Sequence, residues 1–349
     1  MNDPGSAAAA PDITIKAVPR GDDGKHLRVA FLIMLVFFAL APFVMYPVFL
    51  MKVMCFALFA CAFNLLLGYV GLLSFGHAMF LGIAGYAAAY VAKEGLKLEA
   101  LRIGSLAIPV HLALPPFTPE LAILTGVLTA GILGFVVGLI AIRRQGIYFA
   151  MITLALAQMV YFFCVQAPFT GGEDGIQAVP RGKLFGVLDL SNVTAMYATV
   201  FVIFVGGFLL IYRIIHSPFG QVLKAIRENE ARATSLGYDV DRYKLIAFVL
   251  SAALSGLAGA TNALVFQLAA LNAVHWTMSG EVVLMTLVGG LGTVFGPVVG
   301  ALAVLGMENY LAQLGGWVTI VQGAIFVVCV LTFRRGIVGE LARWIKKPL

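Results

Sequence analysis

Long runs of apolar residues alternate with short polar segments along almost the whole chain after residue 28. A helix needs about 17–25 apolar residues to cross the hydrocarbon core of a bilayer, and most of these runs reach that length. They predict ten helices, the last three shorter than the rest, at about 29–50, 53–70, 75–92, 119–142, 147–166, 192–213, 244–268, 281–290, 296–312 and 316–333. If the final segments are partly re-entrant, the number of crossings falls to eight.

The composition agrees with a membrane protein. Of the 349 residues, 61% are hydrophobic and only 11% are charged, and the mean hydropathy is +0.98. So few charges cannot cover the surface of a soluble domain. An outer-membrane barrel is excluded because its strands alternate over about 10 residues. The predicted fold class is all-α, a polytopic integral membrane protein with about 8–10 transmembrane helices and broken or re-entrant Gly-rich segments.

The positive charges predict how the chain is oriented. We expect residues 1–28 to form a polar, disordered cytoplasmic tail, 29–335 the transmembrane domain, and 336–349 a basic cytoplasmic tail. With the N-terminus inside, 17 Lys and Arg residues fall on the inner side and six on the outer side. This excess predicts that both termini and the long inner loop, 214–243, are cytoplasmic.

The segment GYVGLLSFGHAMFLGIAGYAAAYVA, residues 68–92, is apolar but rich in glycine. Its glycines can bring helix backbones close together, or they can break the segment into two half-length helices that line a path for a polar solute. GGLGTVFGPVVGALAVLG, from Gly289, has a similar order of Gly-Leu, Ser or Thr, and Phe-Gly. Interrupted segments in two halves of a chain indicate a central pathway. For any single glycine both interpretations stay open.

Polar residues at membrane depth are the candidates for lining such a path: Asn64, Ser74, Gly76, His77, Thr153, Gln158 and Glu308. The amide and hydroxyl groups, with Gln322, can instead join neighbouring helices, at about 1 kcal/mol each. His77 can also be a hydrogen-bonded histidine of a helix interface. Glu308 can be a helix-end carboxylate that reaches interfacial water.

The inner loop reads HSPFGQVLKAIRENEARATSLGYDVDRYK. The pattern predicts a helix over 220–236 whose weakly apolar face contains Val222, Leu223, Ile226 and Ala233. Pro218 after Ser217 suits its start, and Gly237 is placed to end it. Such a helix can dock into a groove on a cytosolic partner, or it can be a solvated connection.

AIRENEARATSLGYDVDRYKLIAFVLSAALSGLAGA, residues 225–260, resembles the cytoplasmic loop and following helix of the LivM-type permeases, the membrane subunits of ATP-binding-cassette importers for branched-chain amino acids. GYVGLLSFGHAMFLGIAGY, GIYFAMITLALAQM, LMTLVGGLGTVFGPVVGA and the outer-loop stretch TGGEDGI are similar to further segments of that family. The resemblance covers about residues 53–335. It implies a second homologous permease, two cytoplasmic ABC ATPase subunits and a periplasmic binding protein as partners, in a bacterial inner membrane.

The resemblance also implies which residues couple the chain to its ATPases: Ala225, Arg227, Glu228, Glu230, Ala231, Ala233 and Gly237. The general coupling motif is Glu-Ala-Ala, three residues, then Gly. Counted back from Gly237, its first three positions hold Ala231-Arg232-Ala233, and Glu230 lies one place early. Whether Glu228 or Glu230 faces the ATPase therefore stays open.

The chain has no G-x-x-x-x-G-K-[ST] phosphate loop and no cytoplasmic segment long enough for a nucleotide-binding domain. We expect no enzymatic activity, no bound cofactor or metal, no nucleic-acid partner, and ATP hydrolysis by partner subunits. The predicted function is ABC import of branched-chain amino acids. The alternatives are a related importer for urea or short amides, a stand-alone channel or secondary transporter, and a structural membrane scaffold.

Overall fold

The computed structural model describes residues 23–95, 97–98, 101–103, 106–108, 112–113, 117–144, 146–311, 317–332 and 336–345. This part is mostly helical, which confirms the all-α polytopic class. Its helices are α1(Asp23–Leu40), α2(Pro47–Tyr69), α3(His77–Glu94), α4(Pro119–Ala141), α5(Ile147–Gln166), α6(Val193–His216), α7(Pro218–Glu228), α8(Glu230–Ser235), α9(Val240–Phe266), α10(Trp276–Gly289), α11(Gly296–Leu311), α12(Trp317–Thr332) and α13(Gly336–Ile345). Short 3-10 turns lie at Ala41–Phe43, Pro168–Thr170 and Leu271–Ala273.

Short strands connect some of the helices. They are β1(Lys97–Leu98), β2(Leu101–Ile103), β3(Leu106–Ile108), β4(Leu112–Ala113), β5(Ile176–Gln177), β6(Lys183–Leu184), β7(Leu188–Asp189) and β8(Leu268–Ala269). They pair antiparallel as β1 with β4, β2 with β3, β5 with β8 and β6 with β7. The pairing of β5 with β8 joins the segment after α5 to the segment after α9.

Six of the described helices are long and apolar enough to cross a membrane: His26–Phe43, Pro47–Tyr69, Pro119–Ala141, Ile147–Gln166, Val193–His216 and Val240–Phe266. The shorter helices α3, α10, α11 and α12 have 18, 14, 16 and 16 residues. α10 and α11 pack against each other and against α2. The chain is thus interrupted at both Gly-rich segments, between α2 and α3 and between α10 and α11. The first interruption separates a 23-residue helix from an 18-residue helix, rather than the two half-length helices considered from the sequence.

The first predicted helix, 29–50, was wrong at both ends. α1 begins at Asp23 and ends at Leu40, and α2 begins at Pro47. Proline prevents a continuous helix here because it lacks an N–H and disfavours helical backbone at the residue before it. Tyr46, directly before Pro47, is extended, with φ −62° and ψ 120°.

Both predicted tails contain helix in their described parts. Residues 23–28 belong to α1, and the rest of the predicted N-terminal tail, 1–22, lies outside the described residues. The predicted tail 336–349 contains α13, which packs against α10 and α11. Residues 346–349 lie outside the described residues. Residues 336–345 form a helix rather than an irregular tail because their apolar residues lie on one face. Val338 on that face is buried.

The inner loop forms two helices instead of the single helix predicted over 220–236. α7 and α8 are separated at Asn229, which is extended (φ −158°, ψ 99°) and accepts a hydrogen bond from the Arg232 amide. Asn competes with a helix interior in this way and prefers the capping position. The predicted ends are confirmed: Ser217 caps α7, and Gly237, with φ 88°, follows α8.

α2 is the central helix, because nearly every side chain from Leu50 to Tyr69 is buried. A helix that is apolar on all sides belongs in the interior. α2 packs against α6, α9, α10 and α11. On the outer side of the bundle, α4 exposes large apolar side chains in the manner of a lipid-facing helix: Leu124, Leu128, Ile132 and Phe135.

Small residues bring α4 and α9 close together. Along the contact, three pairs meet: Gly126 with Ala260, Ala130 with Gly256, and Gly134 with Ala252. A Cβ added to Gly126 would lie 2.7 Å from the Cβ of Ala260, and the other two glycines leave even less room. Such small-residue contacts are how helices associate in lipid, where apolar burial gives no driving force.

We expect Gly134→Ala to destabilise the fold by about 1–3 kcal/mol, because the new methyl group overpacks the contact with Ala252. Gly131→Ala, on the same helix, is the matched control. Its Cβ would lie 3.8 Å from that of Ala253, so it should be neutral or gain up to about 1 kcal/mol of helix propensity. Thermal unfolding in detergent measures both variants. Equal midpoints would contradict the packing assignment.

Candidate functional site

The inner loop and both ends of the described chain lie at one face of the bundle, here called the α7 face. His26 of α1 and Val338 of α13 line the same apolar groove, together with Phe295 directly before α11. Gly336 packs against the backbone of Gly290. This face is also where α2 ends and where α9 begins.

α7 and α8 attach to the bundle by an apolar side and expose the other. Leu223, Ile226 and Ala233 are buried. Five of the seven candidate coupling residues are exposed and are here called the coupling surface: Ala225, Arg227, Glu228, Ala231 and Gly237. Ala233 is instead turned inward.

The remaining candidate, Glu230, forms an ion pair with Lys244 of α9. The Nζ–Oε1 distance is 2.7 Å, and the side chains of Lys244 and Glu230 are 3% and 33% exposed. A nearly buried ammonium group is stable only while it is paired. Glu230 therefore anchors α8 to α9, whereas Glu228 is exposed.

Arg227 joins α7 to the membrane-embedded helices. Its Nη1 donates a hydrogen bond to the carbonyl of Gly68, near the end of α2. Its side chain also lies against Gly71 and Gly292, where an added Cβ would come within 3.2 Å and 3.1 Å of it. One side chain of the coupling surface therefore contacts both Gly-rich breaks, at 70–76 and 290–295.

A second basic residue, Lys224, lies beside Arg227 on α7. Its Nζ lies 5.7 Å from the centre of the Tyr69 ring. Partial burial lowers the pKa of the Lys224 ammonium group from its ordinary value. The cation–π geometry gives α7 a further contact with the end of α2.

The first break separates α2 from α3. Gly71, with φ 84°, turns the chain back into the bundle, and α3 begins at His77. The Ser74 hydroxyl accepts a hydrogen bond from the Gly76 amide at 3.3 Å, and the Ser279 hydroxyl accepts one from the Ala78 amide at 2.9 Å. These two serines satisfy amide groups at the buried start of a helix, where the first amides have no partner within the helix.

Asn64 holds the second break. Its side-chain Nδ2 donates to the Thr293 carbonyl at 2.9 Å, and its Oδ1 accepts from the Gly292 amide at 3.1 Å. The residue is 2% exposed. In this conformation Asn64 therefore joins α2 to the loop between α10 and α11.

His77 is enclosed by protein side chains. Its Nε2 lies 2.8 Å from the Ser251 hydroxyl, which itself donates to the Ala62 carbonyl at 2.5 Å. Because Ser251 uses its proton there, we assign the imidazole proton to Nε2. Edge contacts with three aromatic rings complete the enclosure, from Phe63, Phe80 and Phe248.

The other candidate path residues lie nearby on α5. Thr153 is buried, and its hydroxyl donates to the Ala150 carbonyl of the same helix at 2.9 Å. Its own carbonyl oxygen lies against Gly76, where a Cβ would not fit. Gln158 is half-buried, and the side chain of Gln322 lies outside the described residues. Gly76 therefore allows close contact between α5 and the break.

A cavity of about 280 Å³, here called the outer cavity, lies toward the face opposite α7. Helices α2, α3, α9, α10 and α11 and the segment 268–273 surround it. Its polar lining consists of Lys52, Asn262, Asn272, Glu281 and Glu308. Lys52 Nζ and Glu308 Oε2 form an ion pair at 3.3 Å. Their side chains are 32% and 43% exposed, so the cavity reaches the surface.

Only Glu308 of this group was a candidate from sequence. It lies near the end of α11 and is partly exposed, as the helix-end alternative requires. Lys52 was missed as a site residue, although it is the only Lys, Arg, Asp or Glu between residues 29 and 92. A charged side chain is costly at membrane depth, so a single charged residue in this apolar stretch could have been recognised as a candidate site residue. Ser279 was also missed.

We expect Glu230→Gln to destabilise the fold by about 1–2 kcal/mol, because it leaves Lys244 buried with a weaker partner. Glu228→Gln is the matched control: it removes an exposed carboxylate and should leave the thermal midpoint unchanged. Thermal unfolding of the purified chain tests both. If Glu228→Gln proved the more destabilising, the anchoring role of Glu230 would be wrong.

Three relatives show what this chain is similar to. The high-affinity branched-chain amino acid transport system permease protein LivM of Escherichia coli is 25% identical over 60% of this chain and 55% of its own length. The probable branched-chain amino acid transport permease protein LivM of Methanocaldococcus jannaschii is 27% identical over 68% and 73%. The ribose import permease protein RbsC of Bacillus subtilis is 25% identical over 73% and 81%. The chain thus spans about half the length of the E. coli relative.

No solved structure significantly matches the chain. The family model described as branched-chain amino acid transport system / permease component matches residues 45–330, which include α2 to α11 and both Gly-rich breaks. This is a family of transport permeases, not of enzymes. The chain belongs to the permease components of the branched-chain amino acid transport systems.

Proposed function

We propose that this chain is the membrane-spanning permease subunit of an ABC importer that moves branched-chain amino acids across a bacterial inner membrane. The observation that carries the proposal is the coupling surface at α7 and α8, which Arg227 connects to both Gly-rich breaks. A partner that moves this surface would act on both breaks at once. Membership of the permease family supports such a partner.

The α7 face is cytoplasmic in this proposal. Of the 23 Lys and Arg residues, 17 fall on the side of α7 when the chain is threaded through a membrane. His26 of α1 and Val338 of α13 lie at the same face, so both termini are cytoplasmic. The outer cavity then faces the periplasm.

Energy comes from partner subunits. Two cytoplasmic ATPase subunits bind the coupling surface and hydrolyse ATP, and this chain binds no cofactor or metal. Glu228 is the acidic contact, because it is exposed while Glu230 pairs with Lys244. A second, homologous permease and a periplasmic binding protein complete the importer.

The candidate path residues hold the route closed in this conformation. Asn64, Ser74 and His77 are bonded to neighbouring backbone or side chains, and Thr153 seals against Gly76. The hydrogen bonds of Asn64 and Ser74 satisfy backbone groups of the breaks, as membrane-embedded backbone requires. Movement of α7 would open this region, with Gln158 of α5 beside the route.

The solute is a second question, because a ribose permease is also among the relatives. Urea and short amides are further alternatives. The charged lining of the outer cavity, with Lys52, Glu281 and Glu308, favours a zwitterion over these neutral solutes. A stand-alone channel or secondary transporter would need no coupling surface, and a scaffold would need no cavity.

The direct test uses proteoliposomes that contain the purified chain, its second permease and its ATPases, with the binding protein outside. We expect ATP-driven leucine uptake that vanishes when this chain is reconstituted alone. Replacing residues 218–235 by a Gly/Ser linker should abolish co-purification of the ATPases and uptake together. Full uptake by this chain alone without nucleotide would overturn the proposal.

Arg227→Ala should uncouple the importer: ATPase subunits still bind, but leucine uptake falls by about tenfold or more, because a charged hydrogen bond to the Gly68 carbonyl is lost. Arg242→Ala is the control, since this side chain is 82% exposed and pairs only locally with Asp239 in the interactions described. Uptake and ATP hydrolysis are measured in the same vesicles. If ATP hydrolysed per leucine were unchanged in Arg227→Ala, the connecting role of Arg227 would be excluded.

A further inference from the structure

We propose that the outer cavity is a binding site for the transported solute, and that it recognises a zwitterion with a small apolar side chain. The inference rests on the proposed function and adds a site to it. The cavity is separate from the coupling surface and lies above the closed region around His77.

The charges of the cavity suit an amino acid backbone. Lys52 and Glu308 are paired, and Glu281, half-buried on α10, interacts electrostatically with both. One ammonium group against two carboxylates leaves an excess negative charge. A solute ammonium would be drawn to Glu281, and a solute carboxylate could take the place of Glu308 beside Lys52. Partial burial strengthens these interactions compared with bulk water.

The side-chain amide of Asn262 also supports a binding site in the cavity. The Asn262 Oδ1 atom is buried and has no hydrogen-bond partner among the described residues, yet Asn262 lines the cavity. Buried acceptors are normally paired, because leaving one unpaired is costly. A solute ammonium group would supply the missing donor once the Asn262 amide turned its oxygen toward the cavity.

The rest of the lining suits an aliphatic side chain. Phe56, Leu81, Ala263, Met278 and Leu305 form an apolar wall beside the charged groups. The volume of about 280 Å³ lies just below the ~300–1,000 Å³ of pockets for drug-sized ligands. The space therefore suits a single amino acid.

The floor of the cavity is closed by backbone contact. Gly259 of α9 lies against the carbonyl of Leu81 in α3, and Gly82 lies against Val274, with no room for a Cβ at either glycine. A solute in the cavity would therefore wait above the closed region, on the side opposite the α7 face. This is where a solute released by a binding protein would first enter.

The test uses the complete importer in proteoliposomes, with L-leucine as the solute and loaded binding protein in excess. Glu281→Gln should lower ATP-driven leucine uptake by about tenfold, the effect of losing a charged hydrogen bond. Glu281→Asp should retain part of the activity. Glu340→Gln, which removes a carboxylate from the partly exposed ion pair with Arg343 on α13, should transport like the wild type. Wild-type uptake by Glu281→Gln would overturn the site.

A second measurement does not depend on whether Glu281→Gln assembles. In the permease–ATPase complex without binding protein, Asn272→Cys places a thiol at the cavity. L-leucine should slow its modification by a water-soluble thiol reagent, and isocaproate, which lacks the ammonium group, should not. Equal rates with and without leucine would overturn the site, even if the importer transports leucine. Protection without any ATP-driven uptake would instead retain the site and overturn the proposed function.

Discussion

The structure depends on one constraint: a chain that interrupts its helices inside a bilayer must satisfy the freed backbone groups from within the protein. Two interruptions, at 70–76 and 290–295, meet this constraint with a small number of side chains. Ser74 and Ser279 accept hydrogen bonds from amides around the start of α3, and Asn64 pairs with the Gly292 amide and the Thr293 carbonyl of the loop before α11. Protein side chains therefore satisfy these backbone groups, but only while these partners stay in place.

The helices around the breaks are held together by two kinds of contact. α3, α4 and α9 pack through small residues with almost no free space, which favours a rigid unit. The contacts between α7 and the breaks are instead made by long side chains, above all Arg227. A force applied to α7 would therefore reach the hydrogen-bonded breaks more readily than the packed helices. The proposed import cycle follows from this difference.

Much of the fold could be predicted from local sequence, because the length of an apolar run is set by the bilayer. The start of α7 and the end of α8 could also be predicted, because serine and glycine have strong capping preferences and Ser217 and Gly237 lie at these ends. The break between α1 and α2 was missed because Pro42 and Pro47 lie within one continuous apolar run, which hydropathy alone predicts as a single helix. The outer cavity was not predictable in this way: Lys52 and Glu308 meet across 256 residues of sequence, and no periodic pattern records such a contact.

The close backbone contacts also limit how such a protein can change over evolutionary time. Gly259 against Leu81, and Gly300 against Met285, leave no space for even a methyl group, so any other residue there would force two helices apart. Lipid-facing positions such as Leu128 and Ile132 face no such limit, because any apolar side chain serves. Substitutions should therefore accumulate at lipid-facing positions while these interior glycines stay unchanged. Distant homologues would then share these glycines more than any other residue type.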